Sequence, residues 1–217
     1  MTECPHYGLG AEVETLVLQG GADLQRYGNN TANTLFGNGG NNLLNGAGGA
    51  DVMAGGAGND TYFVDNAFDN VVEAANEGTD SVFAAVDYAL AANVEALVLQ
   101  GSAGINGTGN ALANGLFGNS GNNILDGGAG ADALTGNAGN DTFRFTAGQA
   151  NGDQVVDFAG NGAALGDSLQ FLGYGAGATF TQVNSTLWQV NYNGGASHDF
   201  ITFNNSAAVD ASDYSFL

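Results

Sequence analysis

Eight oxygen-bearing side chains recur at intervals of nine in two sets: Asn33, Asn42, Asp51 and Asp60, then Asn114, Asn123, Asp132 and Asp141. Carboxylates and carboxamides are hard donors. A calcium ion takes about six to eight such oxygens at about 2.3–2.6 Å, backbone carbonyls among them. Each of these residues lies in a glycine-rich turn, where no bulky side chain hides the carbonyls. One Asn-Gly-Asp turn is ordinary turn chemistry and needs no ion. Eight in register, with every carboxylate of the two blocks except Asp126 in one column, point to cation binding. The stretch between the two sets adds Asp65, Asp69, Glu73, Glu77, Asp80, Asp87 and Glu95. Of these, Asp65 and Asp80 are the favoured candidates for further calcium turns, the alternative being a solvated acidic edge.

Residue types suited to catalysis are scarce. The histidines are His6 and His198, the latter beside Asp199, and a His-Asp pair without a nucleophile in space does nothing. There is no HExxH, GxSxG or CxxC. Lys is absent, so no glycine loop can grip phosphate through one. Acid pairs can hydrolyse glycosides, but here the acids recur with the turns. No enzyme is expected.

The turns belong to a period of nine nested in a period of 81. Residues 28–63 read GNNTANTLF, GNGGNNLLN, GAGGADVMA, GGAGNDTYF; residues 109–144 read GNALANGLF, GNSGNNILD, GGAGADALT, GNAGNDTFR. The first position is always Gly, and the eighth is always large and apolar: Leu35, Leu44, Met53 and Tyr62, then Leu116, Leu125, Leu134 and Phe143. Shifting the chain by 81 places Val13–Thr61 on Val94–Thr142 with roughly 30 of about 50 positions identical, the mark of a repeat architecture. One inward side chain per nine residues suits a short strand between turns, and glycine supplies the left-handed φ that tight turns require. Burying one Leu yields about 1.5–3 kcal/mol, against about 1–2 kcal/mol of backbone entropy for each ordered residue. A coil this thin needs a further source of cohesion.

Composition agrees. The 217 residues carry 22 acidic and 2 basic side chains, Arg26 and Arg144, for a net charge of −20, which excludes binding to phosphate backbones. Cys4 alone makes no disulfide framework. No apolar run reaches the roughly 18 residues of a transmembrane segment, and MTECPHYGLG lacks the basic and apolar regions of a secretory signal.

The columns of GGAGNDTYF and GGAGADALT resemble the G-G-x-G-x-D-x-U-x nonapeptide of RTX (repeats-in-toxin) proteins, or hemolysin-type calcium-binding repeats. The resemblance covers about a third of the chain and is degraded in GNNTANTLF and GNALANGLF. It implies an all-β fold, a parallel β-roll (right-handed β-solenoid) with two nonapeptides per coil and Ca2+ between turns. Turns two units apart then stack, pairing Asn33 with Asp51, Asn42 with Asp60, Asn114 with Asp132 and Asn123 with Asp141. One carboxylate per pair departs from the family's Asp–Asp pairing and predicts weak sites. The run GDQVVDF resembles the segment that closes RTX blocks and adds Asp153 and Asp157 to the expected ligands. Asp167 matches a further Gly-Asp turn.

The expected organisation is an irregular start and partial repeat over 1–12, a β-roll over 13–144, and an antiparallel β cap over 145–217. ATFTQVN, TLWQVNYN and HDFITFN supply hairpins, with Trp188 and Tyr192 in the core. The cap covers strand edges otherwise left open. VDASDYSFL is similar to the C-terminal signal of type I secretion, or is an ordinary terminal strand. The resulting expectation is a secreted calcium-binding protein, extracellular or at a cell surface, with a structural or adhesive role and self-association into an oligomer or end-to-end filament. The alternatives are the secretion and folding module of a larger hydrolase or adhesin, and a polysaccharide-binding module.

Overall fold

A computed structural model describes residues 7–160 and 166–217. Residues 1–6, with Cys4 and His6, and residues 161–165 lie outside it, as does half of the expected irregular start. Among the described residues the regular structure is short strands joined by turns, with one 3-10 turn, Asn193–Gly195, and no helix is long and apolar enough to cross a membrane. It forms two compact units, residues 1–98 and 99–217.

In the first unit the strands Tyr7–Gly8, Gln25–Tyr27, Leu43–Asn45, Thr61–Val64 and Ser81–Ala84 lie side by side in that order. Thr15–Val17, Thr34–Phe36, Val52–Ala54 and Asn70–Val72 form a second sheet. Successive nonapeptides alternate between the two sheets, and the pairs within each are parallel, as a coiled solenoid requires. Leu35 pairs with Met53 and Leu44 with Tyr62, so one coil takes 18 residues, or two nonapeptides. All four are fully buried. Outward neighbours such as Val17 and Phe36 remain exposed, because successive side chains of a strand point to opposite faces.

The second unit repeats the pattern. Gly115–Phe117, Ala133–Thr135, Asp153–Val155 and Ser197–Phe203 make one sheet; Gly107–Thr108, Ile124–Asp126, Thr142–Thr146, Ser168–Leu172 and Tyr214–Phe216 make the other. Leu116, Leu125, Leu134 and Phe143 fill its interior.

Parallel stacking does not stop at residue 144, where the roll was expected to end. Thr142–Thr146 pairs in parallel with Ser168–Leu172, which pairs in parallel with Tyr214–Phe216. Thr179–Gln182, Leu187–Tyr192 and Ser197–Phe203 pair antiparallel. The stacking continues because the inward apolar positions continue: Phe145 and Phe171 stack with ring centroids 5.6 Å apart, and Phe171 and Phe216 at 5.0 Å. In the hairpins Trp188 is buried and stacks on Phe180 at 4.7 Å, while Tyr192 meets Tyr174 edge-on at 5.0 Å. VDASDYSFL supplies a parallel strand, Tyr214–Phe216, with Asp213 buried beside it.

Candidate metal centre

The sixth position of each nonapeptide ends a turn and precedes a strand, and the coil draws its side chain inward. Every member of the column is at most 3% exposed, a burial that the polar sequence of the turns does not announce. The backbone explains part of it. The Asn33 N–H donates to Asp51 Oδ1 at 2.7 Å and the Asn42 N–H to Asp60 Oδ1 at 2.6 Å. In the second unit Asn114 donates to Asp132 and Asn123 to Asp141, both at 2.8 Å. The four pairs expected from stacking therefore meet, with each later carboxylate tied to the backbone of the earlier turn.

Asn and Asp then part company. Their second atoms differ in what they can reach. The Asn33 amide donates to the Val13 carbonyl at 3.2 Å, the Asn42 amide to Asn38 Oδ1 at 3.1 Å, and the Asn123 amide to the Ile105 carbonyl at 2.5 Å. The Asp turns have an acceptor there instead. Oδ2 of Asp51, Asp60, Asp80, Asp132 and Asp141 is buried with no hydrogen-bond partner among the described residues. A buried anionic oxygen is costly unless positive charge or donors compensate it. The protein's cations are engaged elsewhere, Arg26 with the Gln25 carbonyl and Arg144 with Gln170.

The first-position glycines leave room for oxygens. A Cβ on Gly46, Gly55, Gly127 or Gly136 would fall within 3.0 Å of Oδ2 of Asp51, Asp60, Asp132 or Asp141 respectively. One on Gly28 or Gly37 would strike the carbonyl of Gly46 or Gly55. Gly58, at φ +121°, adds a conformation that side chains disfavour. Carboxylates and carbonyls thus converge where no carbon fits, a donor set matched to a hard cation.

Electrostatics of the bare protein agree. Burial, partly offset by the accepted N–H bond, pushes Asp51, Asp60, Asp132 and Asp141 up to about 6, with neighbouring acids adding to the rise. Burial likewise takes Asp153 to about 7 and Glu73 to about 8, the latter against the Tyr62 hydroxyl and with Asp80 and Asp60 nearby.

The column runs past both blocks. Asp69 accepts the Asp51 N–H at 2.9 Å, Asp80 the Asp60 N–H at 2.7 Å, and Glu95 the Asp80 N–H at 2.7 Å. In the second unit Asp153 accepts from Asp132 at 3.0 Å and Asp167 from Asp141 at 2.9 Å. Asp80 and Asp153 thus stand where the sequence placed them. Asp65 does not: it is exposed, its N–H donates to Asp69 Oδ2, and Asp69 holds the column position. Asp157 lies beside the column, accepting from Gly136 at 2.8 Å and Asn137 at 2.7 Å. Sequence reasoning left Asp69, Glu73, Glu95 and Asp167 out of the ligand set. The signal for Asp69 was available, since it stands 18 residues after Asp51, one coil on.

Residues 27–62 and 108–149 match the family model of the RTX calcium-binding nonapeptide repeat. No curated protein matches the chain. The matched segments contain the column residues from Asn33 to Asp60 and from Asn114 to Asp141.

Proposed function

With two blocks of RTX calcium-binding repeats as the premise, we propose that this chain is a non-catalytic, secreted β-roll whose Asp turns hold Ca2+ and which folds on binding it outside the cell. The ligands are Asp51, Asp60, Asp80, Asp132 and Asp141, with Asp69, Asp153 and Asp167 from the turn one coil on. Bound calcium supplies the positive charge that the buried carboxylates lack. The observation that carries the reading is the row of partnerless Oδ2 atoms at Asp turns, set against the self-satisfied amides at Asn turns.

Ion occupancy accordingly follows the Asp half of each block, and the Asn half stands without metal. Export suits the chemistry, because RTX repeat proteins are typically extracellular, where calcium is abundant. A non-catalytic role is supported by how the acids are used, most of the column being tied to backbone N–H groups. Asp199, the sequence neighbour of His198, is buried and accepts from the Gly148 N–H and the Tyr174 hydroxyl, both at 2.8 Å. His198 instead lies edge-on to Phe200. A structural or adhesive role with self-association is supported by Thr15–Val17, the outermost strand of its sheet, whose Val17 is 61% exposed in register with exposed Phe36.

Circular dichroism during a calcium titration, read with light scattering, tests the proposal. Strand signal should grow with calcium and vanish in chelator, and scattering should rise with calcium. Full strand signal in chelator would overturn the folding role, and unchanged scattering at all concentrations would overturn self-association.

A further inference from the structure

One cluster goes beyond the stacked turns. Asp60, Glu73 and Asp80 each bring a carboxylate oxygen within 4.8 Å of the other two, and all three residues are at least nine-tenths buried. Each also has an oxygen with no hydrogen-bond partner: Asp60 Oδ2, Glu73 Oε2 and Asp80 Oδ2. Glu73 belongs to neither nonapeptide block. It follows the strand Asn70–Val72, and its other oxygen accepts the hydroxyl of Tyr62, a core residue fully shielded from solvent.

The second unit shows what is unusual here. Met53 pairs with Val71 and Leu134 with Val155, so Glu73 and Asp157 occupy the same place two residues further on. Asp157 spends one oxygen on the Gly136 N–H and the other on Asn137. In the first unit the matching glycine N–H, that of Gly55, donates to the Tyr62 hydroxyl at 2.6 Å. Tyr62 thereby takes the backbone duty that Asp157 performs, and a longer carboxylate is released to face Asp60 and Asp80. The second unit has Phe143 where the first has Tyr62, so it cannot make this exchange.

We propose that Asp60, Glu73 and Asp80 form a three-carboxylate cation site, selective for a hard divalent ion such as Ca2+, with Tyr62 as the positioning residue that turns Glu73 into it. The inference rests on the calcium reading above and adds a ligand from outside the repeats. Ligand charge sets calcium affinity over several orders of magnitude, so this site fills first, and its filling joins the spacer to the repeat block.

Tb3+, a luminescent substitute for Ca2+ that tyrosine can sensitise, tests this on the full chain. Emission excited through tyrosine should saturate in an early phase. Glu73→Gln should remove that phase, lower the stoichiometry by one ion and weaken the first binding step by on the order of tenfold or more. Tyr62→Phe should dim the early emission. Unchanged phase and stoichiometry in Glu73→Gln would overturn the proposal. Should Glu73→Gln fail to fold, crystals of the unaltered chain soaked in Tb3+ decide. An anomalous peak between the three carboxylates supports the site; peaks at Asp51 and Asp132 without one there overturn it. A parent chain that binds no ion and folds fully in chelator would overturn the calcium reading itself, a separate outcome.

Discussion

Replacing Asp51 by Asn converts a charged turn into the kind the chain itself uses at Asn33. The Oδ1 atom that accepts the Asn33 N–H at 2.7 Å is retained, so the backbone link survives. The partnerless Oδ2 becomes an amide nitrogen. An amide nitrogen there is uncharged and can donate, as the Asn33 amide does to the Val13 carbonyl. Leaving a buried polar group unsatisfied costs about 1–3 kcal/mol, so in chelator Asp51→Asn should be about 2 kcal/mol more stable than the parent. With calcium in hundredfold excess over its dissociation constant, each site adds about 2.7 kcal/mol to the parent. The variant forgoes one such increment and should then be about 1 kcal/mol less stable. Urea unfolding followed by circular dichroism, run in chelator and in calcium, reads both values. The predicted result is a change of sign. A variant that is more stable in both conditions, or less stable in both, would refute the assignment of Asp51 as an ion ligand.

Three further outcomes are expected. Asn123→Ala removes an acceptor of the Asn119 N–H and a donor to the Ile105 carbonyl, and should cost about 1–3 kcal/mol equally with and without calcium, leaving the ion count by calorimetry unchanged. Gly46→Ala should lower the ion count and destabilise the calcium form, since its Cβ would collide with the Asp51 carboxylate. Acidification should act oppositely in the two states. The buried carboxylates titrate at about 6 to 8 in the folded protein, above their unfolded values, so they favour folding once protonated and oppose it as pH rises through that range. In chelator, thermal stability should therefore climb as pH falls from 8 toward 5, while calcium affinity declines over the same range. A chelated protein that loses stability steadily on acidification would contradict the burial of these groups.

Much of this was legible in the sequence, because a period of nine fixes which residues share a face. Gly first, Asn or Asp sixth and a large apolar eighth are enough to place Leu35 over Met53 and Asn33 over Asp51. What the period cannot show is where insertions move the register. Coils of 20, 21 and 26 residues replace 18 at Asp60–Asp80, Asp132–Asp153 and Asp141–Asp167, and there the column follows the strands rather than the count. Asp65 was preferred to Asp69 although no insertion intervenes there, Asp69 standing 18 residues after Asp51. Nor does any motif reveal Glu73, whose place depends on a tyrosine hydroxyl reaching Gly55 across the interior. The end of the roll was misplaced because the sequence after Arg144 loses its glycine rhythm while keeping the alternation of buried apolar residues that stacking needs.

The ladder of side-chain oxygens has a polarity. At Asn33, Asp51, Asn123 and Asp141 alike, the N–H is answered by a residue that comes later in the chain. A polypeptide emerging from the ribosome makes these donors before it makes their acceptors, so the sixth-position amides wait for about two more nonapeptides, whereas the fifth-position amides of Asn41, Asn59 and Asn140 are answered by earlier residues. Within each block, consolidation should travel backward, from its carboxyl-terminal loops toward its amino-terminal ones. Pulse-labelling with deuterium after a calcium jump would follow that front, and the amides of Asp132 and Asp141 should gain protection before those of Asn114 and Asn123.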